Sequence, residues 1–252
     1  MMLSKILLAL PRLVIGARRF TMPRSFRRDG ILREGDFHSD ELIGGHNPTR
    51  GLLEQLRRLY LGIQEEIGET GSVAICSPRE REGRSLIAVD LAISVAHDTE
   101  RPVTILDLDL GEPCLHELLD AAEHPGFTDF HMGDDVSSIL SPTDHAGLFL
   151  IQAGSNRSDG VRALQSGTLE DVLKQLEARG HFVVVDTAAC NSNVSARIVA
   201  ERVSGVLTVV KLGKTRRSDL APYYRAMDGI RLLGVACNYH EQWIPRWLQR
   251  FL

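Results

Sequence analysis

Apolar residues along this chain fall into two alternating patterns, short continuous runs and longer stretches of helical spacing. Leu52, Leu56, Leu59 and Ile63 recur at helical spacing and predict an amphipathic helix over Leu52–Gln64. Ser72–Cys76 then reads as a buried strand, followed by a polar loop and an apolar helix over Leu86–Ala96. Further strands are predicted at Val103–Asp109, Leu148–Ile151, Phe182–Asp186, Val206–Lys211 and Leu232–Cys237. Helices are predicted between them at Leu115–Ala122, Thr168–Ala178, Ser195–Val203 and Ser218–Met227. In the second of these, Thr168 is the expected N-cap and Gly180 the stop. Continuous Val/Ile/Leu strands separated by helices predict an α/β fold, a mostly parallel doubly wound sheet covered on both faces.

The flanks differ from this core. Residues 1–50 form a basic leader and polar linker, in which Arg12 interrupts a short apolar run and no small-residue cleavage site follows. Three readings fit the leader: a basic amphipathic element touching an anionic membrane surface, an unstructured leader, or a start of translation at Met22. Residues 51–240 are the expected folded domain, and 241–252 an amphipathic tail with Trp243, Trp247 and Phe251 on one helical face. That tail reads equally as a helix docked on its own domain or as an exposed anchor.

Composition narrows the function. A formal net charge of -4 gives no general case for nucleic-acid binding. The four scattered cysteines lack zinc spacing and read as reduced core thiols. No run reaches the roughly 18 apolar residues of a membrane span.

The candidate chemistry lies at the carboxyl ends of the predicted strands, where open α/β sheets bind ligands. Ser77, Asp107, Asp109 and Asp186 all sit there. The loop from Ser77 to Ser85 joins a strand to a helix and closes on Gly83-Arg84-Ser85, the layout of a phosphate-binding loop. Gly83 offers close backbone approach, Ser85 a hydroxyl for Mg²⁺, and Asp186 a carboxylate for the metal and its waters. Asp107 and Asp109, two apart on a strand, share a face and are candidates for the same metal. The departure is Arg84, a planar fork where a compact lysine is standard, and Arg81 stands where a second glycine is expected. On the helix before the first strand, Glu54 and Arg57 are spaced for a local ion pair.

The order of these motifs over about Glu54–Asn238 resembles the cytoplasmic P-loop domain of bacterial tyrosine kinases, of the polysaccharide co-polymerase group. Arg81-Glu82-Gly83-Arg84-Ser85 is similar to that family's Gly-Glu-Gly-Lys-Ser, and Leu106-Asp107-Leu108-Asp109 through Pro113 to its second aspartate motif. Val185-Asp186-Thr187 resembles its Walker B strand end, and Gln152-Ala153-Gly154 a Pro-Ala-Gly segment. The resemblance implies a deviant-Walker, MinD-like P-loop fold. ATP or ADP with Mg²⁺ would be bound by Ser77, Glu82, Gly83, Arg84 and Ser85, with Asn238 near the adenine. Catalysis, if present, would fall to Asp107 and Asp109. Glu54 and Arg57 match two positions of an oligomerisation helix whose third position is Tyr60. The implied partners are an integral-membrane chain-length regulator and further copies of the chain, at the cytoplasmic face of the bacterial inner membrane. Since the loop lysine and the tyrosine-rich tail are both missing, the expectation is a regulatory or scaffold subunit of exopolysaccharide export with weak or lost turnover. An active tyrosine autokinase and a partition or division-site ATPase are the alternatives.

Overall fold

In the computed structural model, the described residues are 50–121, 124–156, 160–191 and 193–238, with side chains from Gln55 onward. The leader and the tail lie outside them. Seven described strands form one sheet: β1 (Ser72–Cys76), β2 (Val103–Leu108), β3 (Ser141–Pro142), β4 (Leu148–Ile151), β5 (Phe182–Thr187), β6 (Gly205–Lys211) and β7 (Leu232–Asn238). Their order is β3-β4-β2-β5-β1-β6-β7, parallel throughout except for β3 against β4. The expected architecture is present.

The helices are α1 (Arg50–Ile67), α2 (Arg84–Asp98), α3 (Leu115–Leu118), α4 (Gly160–Gln165), α5 (Thr168–Ala178), α6 (Val194–Ala200) and α7 (Arg217–Ala226). They cover both faces, so each strand buries alternate residues in opposite directions. Val73 and Ile75 of β1 join Leu59, Ile63, Leu91, Val95 and Leu115 in one core. Ala74 and Cys76 join Leu164, Leu176, Val199 and Tyr223 in the other. Every residue of β1, β2 and β5 is buried, which explains why these strands read as unbroken apolar runs.

Two local expectations change. The N-cap of α5 is Gly167, at φ 88°, and Thr168 already lies within the helix, its hydroxyl 2.7 Å from that of Ser166. The tight reversal from α4 needs a left-handed residue there, and glycine supplies it without a Cβ clash. The helix from Leu115 stops at Leu118 rather than Ala122, because Asp120 turns left-handed at φ 47°. Two elements were not anticipated. The short edge strand β3 contains a proline, and α4 opens on a glycine.

Candidate functional site

The parallel register sets the site. Asp107 of β2 and Asp186 of β5 are register partners, so their carboxylates stand side by side on the face that α2 covers. Ile75, one residue before the end of β1, is the partner of Asp186 on its other side, so the loop from Ser77 leaves directly beside them. Gly83, at φ 89°, caps α2 and turns the loop into the helix.

Arg84 does not reach outward. Its guanidinium is folded into the loop and buried, donating through Nε to the Thr187 carbonyl at 2.7 Å. Through Nη1 it donates to the Ser77 hydroxyl at 2.7 Å and the Arg79 carbonyl at 3.0 Å. Nη2 lies 3.3 Å from a carboxylate oxygen of Asp109. One side chain thus ties together the ends of β1, β2 and β5. Glu82 is also turned inward and buried: it accepts from the Arg79 N–H at 3.1 Å and from the Thr215 hydroxyl. The Glu82 carbonyl accepts from Asn238 Nδ2 at 3.0 Å, which fastens the end of β7 to the loop. The Arg79 N–H and the Arg79 and Glu82 carbonyls are therefore already satisfied by protein groups.

The two aspartates differ sharply. Asp107 accepts three backbone N–H groups, from Asp109 at 3.2 Å, Cys114 at 3.1 Å and Leu115 at 3.0 Å. Burial nevertheless pushes its carboxyl well above the usual range, and the neighbouring Asp186 charge adds to this. Asp186 is fully buried and neither of its oxygens has a hydrogen-bond partner. The nearby Ser85 hydroxyl and Thr187 backbone draw its pKa down, but neither makes a well-formed hydrogen bond to either oxygen. Burial pushes the Asp186 carboxyl up to about 6, with the Arg84 guanidinium pulling against it. A buried carboxylate with no partner is costly, and a cation is one of the few groups that resolves it. Asp186 and Ser85 therefore fit a Mg²⁺ ion with its waters. The phosphate side fits less well, since Arg84 fills the seat and Glu82 takes the Arg79 donor. Among the described residues no three His, Cys, Asp or Glu side chains gather as a metal cage.

The cysteines are free, with Cys76 buried and its thiol pushed up to about 12 by that burial. Arg57 forms a fork with Asp98 of α2, at 2.6 and 2.7 Å. Tyr60, at the third motif position, is buried edge-on against Phe182, its ring centroid 5.3 Å away. The side chain of Glu54 lies outside the described ones. Reading the sequence missed the Thr187 carbonyl, the Thr215 hydroxyl and Asp98, since no local spacing marks partners so distant along the chain.

Arg81 is exposed and held left-handed at φ 61°. That conformation costs an L-residue about 1–2 kcal/mol, part of which a glycine returns as unfolded-chain entropy. Arg81→Gly is expected to raise stability by about 0.5–1 kcal/mol. A urea midpoint that falls instead would show that the Arg81 side chain contributes packing.

Sheet, loop and strand-end carboxylates define a P-loop domain of mostly parallel strands. The chain is, further, a homologue of bacterial tyrosine-protein kinases. It is 24% identical over 191 residues to the tyrosine-protein kinase ptk of Acinetobacter johnsonii, covering 74% of this chain and 26% of that one. To the tyrosine-protein kinase CpsD of Streptococcus pneumoniae it is 24% identical over 189 residues, 73% of this chain and 83% of the relative. The chain thus spans about a quarter of the first relative and most of the second. The kinase domain of the Escherichia coli tyrosine kinase ETK superposes with a TM-score of 0.71 at 19% identity, covering 84% of each chain. No family model matches.

Proposed function

We propose that this chain is a kinase-like P-loop subunit of bacterial exopolysaccharide or capsule synthesis and export, with weak or lost nucleotide turnover. It acts as a regulatory or scaffold partner of an integral-membrane chain-length regulator at the cytoplasmic face of the inner membrane. Its tyrosine-kinase relatives support the pathway. One observation carries the loss of turnover: the buried cation of the loop's interior, Arg84, is already bound by acceptors from Thr187, Ser77, Arg79 and Asp109. A further support is that none of the three described tyrosines is exposed, Tyr60 and Tyr223 being buried and Tyr224 half-buried.

Where nucleotide does enter, Gly83 and the start of α2 would receive phosphate, with Ser85 and Asp186 on the magnesium. The ion would neutralise phosphate charge. Arg84 must first leave its acceptors, and the Thr187 and Arg79 carbonyls then lose a charged donor. An unmade charge-assisted hydrogen bond costs about 1.5–3 kcal/mol, so affinity is reduced by at least about tenfold. Lysine is shorter, carries fewer donors and cannot hold all four acceptors at once.

The test is calorimetric titration with Mg-ADP of the wild type beside Arg84→Lys. The variant is expected to bind at least about tenfold more tightly. Equal or tighter binding by the wild type would make Arg84 a working substitute, and the active-kinase reading would replace this one.

A further inference from the structure

A second feature, separate from the loop's interior, stands on its rim. The segment after β6 folds into a hydrogen-bonded turn. The Lys211 carbonyl accepts the N–H of Lys214 at 3.1 Å and of Thr215 at 2.9 Å, and the Lys211 N–H donates to Thr215 Oγ1 at 2.8 Å. The Leu212 N–H donates to the Asn238 carbonyl at 3.0 Å, and Gly213 takes φ 75°. These bonds hold Leu212 outward, 37% exposed, at the tip of the turn.

Cations crowd the chain that follows that tip. Lys214, Arg216 and Arg217 are exposed, and their side chains form no ion pair among the described residues. Arg81 joins them from the neighbouring loop, equally exposed and unpaired. The two segments are fixed to each other by the Thr215–Glu82 hydrogen bond and by Arg79 with Asp219 at 3.4 Å. The nearby acids do little to neutralise the group. Glu82 is buried in the loop, and Asp219 is engaged by Arg79 and the Arg216 N–H, leaving Glu80 exposed. In a chain of net charge -4, this is a local excess of positive charge.

We propose that this rim, Arg81 with Leu212, Lys214, Arg216 and Arg217, is a docking face for an anionic lipid surface. Unpaired cations around one projecting apolar side chain match the boundary between headgroups and acyl chains, where Leu212 enters and the cations stay at the phosphates. An acidic peptide would use the charges but has no need of an exposed leucine beside them. The face lies at the carboxyl end of the sheet, so docking turns the nucleotide loop toward the membrane. This placement is independent of whether nucleotide binds.

The experiment is flotation of the full chain with phosphatidylcholine vesicles, with and without phosphatidylglycerol, in the absence of nucleotide. The wild type is expected to partition onto the anionic vesicles only, with binding lost at high salt. Lys214→Glu with Arg217→Glu should lower the partition coefficient by about a hundredfold, at about tenfold or more per reversed charge. Leu212→Ser should lower it by about threefold at unchanged salt dependence. All three side chains are exposed, so wild-type circular dichroism is expected of each variant. Absence of wild-type binding would overturn the proposal. So would binding that survives the charge reversal, since the basic leader would then carry it. A Leu212→Ser variant with unchanged binding, together with equal competition by soluble polyglutamate, would also overturn it by identifying an acidic protein as the partner.

Discussion

Arg84→Ala is expected to lower the unfolding free energy by about 3 kcal/mol, the cost of breaking a buried charged contact from one side. The substitution takes the Arg84 donor from the Thr187 carbonyl at a buried strand end and leaves the Arg79 carbonyl to the Ser77 hydroxyl. It also removes the cation that pulls down the pKa of the unpartnered Asp186. Water entering the vacated space offsets part of this, which is why the figure stays well below the sum of the separate losses. For a domain of this size the melting temperature should drop by roughly 10 °C. Urea unfolding followed by circular dichroism is the check. A loss under about 1 kcal/mol would mean that Arg84 is only loosely seated, as expected of an exposed pair, and would remove the main support for a self-filled loop.

Asp90→Asn should act in the opposite direction and depend on pH. Asp90 lies on α2, half-buried and with no hydrogen bond among the described residues, one turn from the partly buried Leu86 and Ile93. Burial pushes its carboxyl up to about 7. Because the folded-state value lies above the unfolded one, the folded protein holds this proton more tightly. The ionised form therefore destabilises the fold fully above pH 7, and the penalty is lifted as pH falls from about 7 towards about 4. The full shift would correspond to about 4 kcal/mol, and partial exposure reduces that to about 2 kcal/mol. Asp90→Asn is thus expected to gain about 2 kcal/mol at about pH 8 and nearly nothing at about pH 4. Other buried carboxylates, Asp107 and Asp186 among them, titrate in both proteins and cancel in the difference. A gain that is the same at both pH values would trace the effect to packing instead.

The sheet was legible because its central strands are buried on both faces, which leaves an unbroken apolar signature in β1, β2 and β5. The strand-end positions of Ser77, Asp107 and Asp186 followed from the same runs. What the sequence could not show was which partner each polar group selects. The acceptors of Arg84 lie as far off as Thr187, and Arg57 pairs with Asp98 across 41 residues. Asp107 and Asp186 look alike as strand-end aspartates, yet one accepts three backbone N–H groups and neither oxygen of the other accepts a well-formed hydrogen bond. That difference depends on where the chain turns after β2, a matter of tertiary geometry. The short pieces β3 and α4 were missed for a simpler reason: two residues including a proline, and six opening on a glycine, carry no periodicity.

Asp107 has a practical consequence for genetics. Its carboxylate grips the N–H groups of Cys114 and Leu115, and so rivets the end of β2 to the start of α3. An alanine allele would undo the rivet as well as any chemistry. A strain carrying it would lose the protein's function simply because quality-control proteases clear the loosened protein, since a destabilisation of about 1–2 kcal/mol can change abundance several-fold. Complementation with such an allele should be read beside an immunoblot of steady-state protein. The asparagine allele, which keeps one acceptor oxygen at the same reach, is the better instrument for separating an empty phenotype from an empty cell.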